Sequence, residues 1–279
     1  MFSLSHSVAL TLISTGLCCT AADLRTFRVC ADPNNLPFSN EAGQGLENKL
    51  AQIVAHDLSV NLQYVWFAER RGFLRHSLDV GLCDAVLGVP IDVEGALVTR
   101  PYYRSTYVTV TKPELKIASL YDSRLRNLRI GLHMIGDDYV PPGHLLAAEG
   151  LAGQIVGYSL YGAYGQADPP ARLIDAVANG QVDVAIVWGP FGGYFAKKAS
   201  IPLAVEPVSP TRFRMVPFTY SIGVAVRKGD VALQSAIQQV LDKECPAVRA
   251  LLKEYAFPSP EEEEATPCGT SSLAVISSH

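Results

Sequence analysis

The sequence predicts an α/β fold of two lobes with a cleft between them. Short apolar strands alternate with segments of helical spacing, which is typical of parallel βαβ units. The pattern restarts near residue 128, and one block occurs twice, as residues 81–90 (GLCDAVLGVP) and residues 180–190 (GQVDVAIVWGP). Parallel sheets bind ligands outside the carboxyl ends of their strands, so two such ends facing each other form a cleft. The alternative is a single doubly wound domain with an added element.

The first lobe is predicted from its alternating strands and helices. An apolar strand covers residues 27–31, and apolar residues at helical spacing then predict an amphipathic helix over residues 46–58. The remaining predicted elements are a strand at 62–67, a helix at 69–78, a buried strand at 84–89 and a long strand at 102–112.

The second lobe repeats this order. It begins with a strand at 128–132 (LRIGL), which a polar loop connects to the next helix. The other predicted elements are helices at 143–149 and 170–178, strands at 154–158 and 182–188, a helix through Phe195, a strand at 221–227 and a single helix over 231–255.

Composition excludes several classes of function. Hydrophobic residues make up 48% of the 279 residues, which is enough for a substantial core, and the net charge is only −4. No basic run occurs, so binding to nucleic acid has no electrostatic basis. The common nucleophile, zinc-protease and phosphate-loop motifs are absent from the sequence, so we expect neither an enzyme nor a metal or cofactor site.

The two ends of the chain differ from its middle. Residues 1–22 are predicted to be a signal peptide, although they lack Lys and Arg, and a poorly ordered extension is the alternative. No membrane span is expected after cleavage, and residues 258–279 are predicted to be a disordered acidic and polar tail. Export would leave four of the six cysteines, and an even number in an oxidising compartment suggests disulfides.

Four segments carry candidate ligand-contacting residues for the cleft. The loop after the first strand is stiff and polar, the next helix opens with two arginines, and two aromatic-rich segments stand beside predicted strands. Turn chemistry, an exposed basic turn and a core tryptophan explain several of these features about as well. Two adjacent tyrosines on a strand point to opposite faces, so at most one can enter the cleft. The predicted cleft residues are Asn34, Asn35, Phe38, Arg70, Arg71, Phe73, Pro90, Arg100, Tyr102, Tyr103, Asp137, Asp138, Trp188 and Tyr194.

Several separate stretches, in order, resemble one known family over roughly residues 27–257. They are residues 29–38 (VCADPNNLPF), 68–73 (AERRGF), 81–90, 99–107 (TRPYYRSTY) and 182–195 (VDVAIVWGPFGGYF). The sequence is similar to the quinoprotein-dehydrogenase-associated substrate-binding proteins, the MoxJ/XoxJ group. This resemblance implies a type II periplasmic-binding-protein-like fold and a periplasmic accessory of a PQQ-dependent methanol or alcohol dehydrogenase. Maturation or activation of that partner is the implied role, and the partner would hold the quinone.

The resemblance also implies a domain organisation. Lobe 1 would comprise residues 23–112 with 221–257, and lobe 2 residues 113–220, joined by crossover strands at 107–112 and 221–227. Neighbouring first and third strands would place Cys30 and Cys83 to form a disulfide, a link worth about 2–4 kcal/mol. A pairing of Cys245 with Cys268 is a weaker expectation.

One departure from related folds bears on the ligand. Amino-acid receptors of similar fold usually carry an arginine shortly after the third strand, where it clamps a carboxylate. Residues 88–94 contain no arginine, which disfavours an amino-acid ligand, although Arg70, Arg71 or Arg100 could substitute. The alternative function is a solute receptor that delivers a small-molecule ligand to a transporter.

Overall fold

The computed structural model describes residues 25–161 and 168–258. The predicted signal peptide, most of the predicted tail and Cys268 lie outside these residues. Within the described ranges, no helix is long and apolar enough to cross a membrane.

The described chain alternates between strands and helices, as predicted. The strands are β1 Thr26–Ala31, β2 Asn34–Asn35, β3 Ser39–Asn40, β4 Asn61–Trp66, β5 Ala85–Pro90, β6 Ala96–Val98, β7 Tyr103–Thr111, β8 Ile130–Ile135, β9 Asp138–Tyr139, β10 Ile155–Ser159, β11 Val184–Trp188, β12 Ala204–Pro207, β13 Arg212–Phe213, β14 Val216–Pro217 and β15 Thr219–Arg227. The helices are α1 Leu46–Asp57, α2 Phe73–His76, α3 Pro142–Ala148, α4 Arg172–Ala178, α5 Gly189–Lys198, α6 Val231–Lys243 and α7 Cys245–Glu254.

Two of the predicted helices differ from the structure. The helix predicted over residues 69–78 is reduced to α2, because Gly72 has a φ of +85°, a left-handed conformation that a helix interior does not adopt. The helix predicted over 231–255 is divided into α6 and α7. Pro246, in the first turn of α7, has no N–H to continue a hydrogen-bonded helix from α6.

Two halves of the main sheet have the same strand order. In the first half the order is β4-β1-β5-β15, with β6 also paired to β15. In the second half it is β10-β8-β11-β7, with β12 also paired to β7. β1 pairs with β4 and β5 in parallel, as β8 does with β10 and β11. The predicted two-lobed α/β fold is therefore confirmed, and each half is built from parallel βαβ units.

The long strands β7 and β15 connect the two halves. Residues 103–106 of β7 pair antiparallel with residues 219–222 of β15. Beyond that point β7 pairs with β11 and β12, whereas β15 pairs with β5 and β6. The predicted crossover segments, residues 107–112 and 221–227, lie largely within these two strands. The strands pair with each other through their amino-terminal ends. The exact lobe boundaries given above stay a prediction.

An arginine–aspartate pair occurs at the same place in both halves. Arg28 of β1 donates its backbone N–H and its guanidinium to Asp84, just before β5, with a shortest N–O distance of 2.7 Å. Arg129 makes the same three bonds to Asp183, just before β11, again with a shortest distance of 2.7 Å. The aspartate in each repeated sequence block therefore fixes the third strand beside the first.

Replacing Asp84 with asparagine is expected to lower the free energy of unfolding by about 1–2 kcal/mol, because charge-assisted hydrogen bonds are lost. Asp183→Asn is the matched control and should cost less, roughly 0.5–1 kcal/mol, because surface ion pairs are worth little. Arg227 also approaches Asp84, at 3.5 Å, and the Asp84 side chain is 17% exposed against 29% for Asp183. Urea unfolding measures both losses, and an equal or larger loss for Asp183→Asn would contradict this ranking.

The same pair predicts a pH dependence. Burial raises the pKa of Asp84, but the hydrogen bonds from Arg28 and the charges of Arg28 and Arg227 outweigh it and lower the pKa below its usual value. A lowered folded-state pKa contributes stability above about pH 4, and this is lost as the pH falls through the folded-state value. The stability difference between wild type and Asp84→Asn should therefore shrink in acid.

The predicted disulfide is confirmed. Cys30 in β1 and Cys83, just before β5, are bonded, with their Cα atoms 5.5 Å apart. The bond lies in a small apolar cluster with Phe73 and Leu78, on one face of the first half of the sheet. It joins the strand that leads into the polar loop at residues 32–38 to the strand that carries Gly88 and Pro90. The pairing predicted for Cys245 falls outside the described residues because Cys268 does.

Candidate functional site

A cavity of about 290 Å³ lies between the two halves, and both contribute to its wall. The first half supplies the polar loop, the start of α1, residue 69 and the end of β5, and the second half supplies β8, residues 160–161 and the start of α5. The connecting strands β7 and β15 complete it. The lining residues are Asn35, Phe38, Glu47, Glu69, Gly88, Pro90, Tyr103, Tyr107, His133, Ile135, Val140, Leu160, Tyr161, Trp188, Phe191, Tyr220 and Ile222.

Aromatic rings form much of this wall. The Tyr107 and Trp188 ring centroids are 5.5 Å apart, and those of Trp188 and Tyr220 are 5.7 Å apart, both in edge-to-face arrangements. Between the two halves, Phe38 of the first packs edge-on against Phe191 of the second, with ring centroids 5.1 Å apart. Edge-to-face pairs restrain one another, so the rings form a wall of fixed shape.

Two carboxylic acids face these rings. Glu47 lies in the first turn of α1, and its Oε1 is so near Gly88 that a β-carbon at that position would stand 2.1 Å away. Loss of solvation, then the nearby Glu69, raise the pKa of Glu47 well above its usual value. Loss of solvation and the charge of Asp32 raise the pKa of Glu69 to about 7, against a hydrogen bond from Asn35 that lowers it. Near neutral pH, Glu69 is therefore present in both its protonated and its ionised form.

Asp32 holds the segments that carry these groups. Its carboxylate accepts the backbone N–H of Asn34 at 2.8 Å and that of Glu69 at 2.7 Å. The Asp32 side chain is buried, so both bonds are shielded from water. The loop after β1 and the segment after β4 are thereby tied together at the carboxyl end of the sheet. Asn35 continues the link by donating its side-chain N–H to Glu69 Oε2 at 2.7 Å.

His133 contributes no positive charge to the cavity. Burial lowers its pKa to about 4, although the contact between its Nε2 and the Pro170 carbonyl oxygen, at 3.3 Å, acts in the opposite direction. The ring is therefore neutral at physiological pH, and its plane stands edge-on to Phe191. Within the described ranges, no group of three or more His, Cys, Asp or Glu side chains is arranged to hold a metal ion.

Nine of the fourteen predicted cleft residues line this region. Asn35, Phe38, Pro90, Tyr103 and Trp188 line the cavity itself. The others line an adjoining cavity of about 400 Å³ that shares Pro90 and Glu69 with the first; they are Arg70, Arg71, Phe73 and Asp138. Arg71 and Asp138 approach each other across this second cavity, with an N–O distance of 3.8 Å.

Five predicted residues lie elsewhere. Arg100 pairs with Asp242 of α6 at 2.5 Å, and Tyr194 stacks on Tyr255 of the C-terminal segment with centroids 5.6 Å apart. Tyr102 is completely buried behind Tyr103, so only one of the adjacent tyrosines reaches the cavity. The remaining two, Asn34 in β2 and Asp137 in the turn before β9, do not line either cavity. Arg100 and Tyr194 contact Asp242 and Tyr255, which are distant from them in the sequence, and these contacts direct both side chains away from the cavity.

Sequence reasoning missed the acidic side of the site. Glu69 lies three residues after the end of β4, immediately before the two arginines at 70 and 71. Its position at the carboxyl end of a strand is the signal that could have identified it. Glu47 gave no such signal, because a first-turn glutamate normally only complements the helix dipole.

A two-lobed sheet with antiparallel connecting strands and a cavity lined from both lobes defines a binding protein of the type II periplasmic class. No protein-family model matches the chain. Among curated proteins, it is 33% identical over 252 residues to "Protein MoxJ" of Methylorubrum extorquens, covering 85% of this chain and 82% of that protein. It is 29% identical to "Protein MoxJ" of Paracoccus denitrificans, over 90% of this chain and 94% of that one. The chain belongs to the MoxJ family.

A solved structure supports the same assignment. The periplasmic binding protein XoxJ from Methylobacterium extorquens superposes with a TM-score of 0.69 at 34% sequence identity. The match covers 85% of this chain and all of that one. The likeness therefore extends over most of this chain.

Proposed function

We propose that this protein is a periplasmic accessory factor of a PQQ-dependent methanol or alcohol dehydrogenase. It acts by binding, during maturation or activation of the dehydrogenase, and it catalyses no reaction itself. The observation that carries the proposal is membership of the MoxJ family along nearly the whole described chain. The kinship with a periplasmic binding protein and the signal-like residues 1–22 support a periplasmic location.

The cavity lining supports a binding role other than amino-acid transport. Among the described residues, no Arg or Lys lines the 290 Å³ cavity, so no cationic clamp for a carboxylate faces it. Arg70 and Arg71 line the adjoining cavity, and Arg100 is engaged by Asp242. We take the nine lining residues predicted from sequence as the ligand-facing part of the cleft, within the lobe boundaries predicted above.

Co-purification from periplasm tests the proposal. The tagged protein, produced in its native host, is expected to recover a quinoprotein dehydrogenase. A deletion strain should contain dehydrogenase with reduced activity per mole, and the wild-type gene should restore it. A version without residues 1–22 is the control, and it should fail to restore activity because it is not exported. Recovery of no dehydrogenase, together with unchanged activity in the deletion strain, would refute the proposed role.

A further inference from the structure

One buried acceptor beside the cavity has no hydrogen-bond partner in the part of the chain that the structure describes. Asn35 is 5% exposed and lines the cavity, and its amide N–H₂ is directed to Glu69 by the 2.7 Å hydrogen bond. Its carbonyl oxygen Oδ1 is buried without a hydrogen-bond partner in the described parts of the chain. A buried acceptor left unpaired costs free energy, so this atom favours a ligand that donates a hydrogen bond.

The charges around that atom are of one sign. Glu47 and Glu69 line the cavity, and Asp32 stands behind them, bonded to the Glu69 backbone. No cationic side chain of the described residues lines the same space, and His133 is neutral. Loss of solvation, followed by repulsion from Glu69, raises the pKa of Glu47, and loss of solvation, followed by repulsion from Asp32, raises that of Glu69. Among the described residues, no cation lining the cavity compensates this repulsion. A positive charge between them would relieve that repulsion.

The aromatic lining of the cavity also suits a cation. Tyr103, Tyr107, Trp188 and Tyr220 surround the space with aromatic rings, whose faces carry partial negative charge. Cations bind to such faces, most strongly to tryptophan and where water is excluded. Apolar side chains such as Leu160 and Ile222 also line the cavity and would contact a hydrocarbon frame. A volume of about 290 Å³ is at the lower end of the range for small-ligand sites, about 300–1,000 Å³.

We propose that the cavity between the lobes binds a small organic cation, an ammonium or guanidinium group on an apolar frame. Glu69, Glu47 and Asn35 Oδ1 receive the cationic head, and the aromatic wall surrounds it and its apolar substituent. This site goes beyond the proposed dehydrogenase role and does not depend on it. The cation has two sources with the same chemistry, a free amine or the basic side chain of a polypeptide.

Three phenylethyl compounds that differ in the charge of the head group test whether the site requires a cation. Calorimetry compares the cation 2-phenylethylamine, the neutral 2-phenylethanol and the anion 3-phenylpropanoate, and choline with its neutral analogue 3,3-dimethylbutan-1-ol forms a second series. We expect at least one cation to bind at least tenfold more tightly than the uncharged or anionic compounds of its own series, a difference of about 1.4 kcal/mol. Neutral or anionic compounds binding as well as the cations, or no cation binding in either series, would overturn the proposal.

Matched variants locate the site. Glu69→Gln keeps the shape and the hydrogen bond from Asn35 but removes the charge, so it should weaken cation binding at least tenfold and leave the neutral compounds unaffected. Glu114→Gln is the control, because Glu114 is exposed and outside both cavities. Thermal unfolding of each variant confirms that it is folded. Equal affinity of Glu69→Gln and wild type for the cation would remove this cavity as the site.

Proton release supplies an independent readout. With the pKa of Glu69 at about 7, a bound cation favours the ionised carboxylate, so affinity should rise between pH 6 and 8 and binding should release protons. The titratable groups that interact with Glu69 are Glu47, Asp32, Tyr102, Tyr103 and Tyr161; His133 lines the same cavity and Arg70 the adjoining one. The pKa of His133 is too low, and the pKa values of the three tyrosines are too high, to account for this change. Affinity that is constant or falls over this range would count against the site.

A lysine derivative separates the two sources of the cation. Nα-acetyl-lysine N-methylamide presents the side-chain ammonium together with flanking peptide groups, whereas 2-phenylethylamine and choline are free. Tighter binding of the lysine derivative would identify a polypeptide side chain as the source, and tighter binding of the free amines a metabolite. Both results support a cation site. Because these measurements use the purified protein alone, they can succeed or fail whatever the outcome of the dehydrogenase co-purification.

Discussion

Removal of the Cys30–Cys83 disulfide is expected to lower the free energy of unfolding by about 4 kcal/mol. The bond closes a loop with a sequence separation of 53, and cross-linking a loop of that length removes chain entropy of roughly this size from the unfolded state. The double variant Cys30→Ala/Cys83→Ala avoids placing hydroxyl groups in the buried cluster. Urea unfolding, extrapolated to zero denaturant, measures the loss.

A volume-restoring variant separates the covalent contribution from packing. Both cysteines are at most 2% exposed, so the double alanine variant also loses contacts in the cluster with Phe73 and Leu78. Cys30→Ala/Cys83→Val replaces part of that volume and should recover less than half of the loss. Full recovery, or a loss in the double alanine variant below about 1 kcal/mol, would contradict an entropic role for the bond.

The disulfide also connects two segments that carry residues of the cavity. It joins the end of β1, which leads to Asp32 and Asn35, to the start of β5, which carries Gly88 and Pro90. Without the bond, these two segments remain linked by strand pairing and by the Arg28–Asp84 contact. We therefore expect the double alanine variant to stay folded at moderate temperature, so that its ligand affinity can be measured.

The second large effect is expected from Gly45→Ala. A β-carbon at Gly45 would lie 2.0 Å from the Phe38 carbonyl oxygen and 2.6 Å from the Ser39 nitrogen, and backbone atoms cannot move aside as a side-chain end does. Overpacking of this kind costs about 3 kcal/mol, the upper part of the usual range. The backbone dihedrals of Gly45, φ −79° and ψ 160°, suit any residue. The loss of stability would therefore come from the close contact of the added β-carbon and not from backbone strain.

The same close contact would also disturb the cavity between the lobes. The backbone N–H of Glu47 donates to the Phe38 carbonyl at 2.9 Å, and both residues line the cavity. Forcing the loop away from α1 should therefore reduce ligand binding as well as stability. Gly153→Ala is the matched control, since no atom lies within 4 Å of a β-carbon there. Equal melting temperatures for the two alanine variants would show that the loop adapts without cost.

Much of the architecture could be predicted from local patterns. Apolar periodicity predicted eight of the eleven strands of the main sheet and missed β6, β9 and β12, which have only two to four residues each. The repeated block with its aspartate indicated two similar halves, and the structure shows the same Arg–Asp contact in each. Errors occurred at Gly72 and Pro246, where a single residue changes the backbone within an otherwise helical pattern.

The composition of the cavity was only partly predictable. Asn35, Phe38, Tyr103 and Trp188 could be predicted because each lies in or directly after a strand at the lobe interface. Arg100 and Tyr194 have similar local settings, yet contacts with Asp242 and Tyr255 direct them elsewhere. These partners lie on α6 and in the C-terminal segment, and no local pattern shows which neighbour the fold will bring to a side chain.

The sequence by itself determined two α/β lobes and the absence of an arginine clamp after the third strand, because these features depend on local periodicity and on residue type. Its resemblance to a known family implied the disulfide between neighbouring strands. Only the tertiary structure decided the chemistry of the cleft. Glu47 on a helix and Glu69 after a strand acquire raised pKa values because the parallel arrangement of β1, β4 and β5 brings them into one poorly solvated space, beside rings supplied by the other lobe. Desolvation and charge repulsion depend on distance in space, which the order of residues along the chain does not specify.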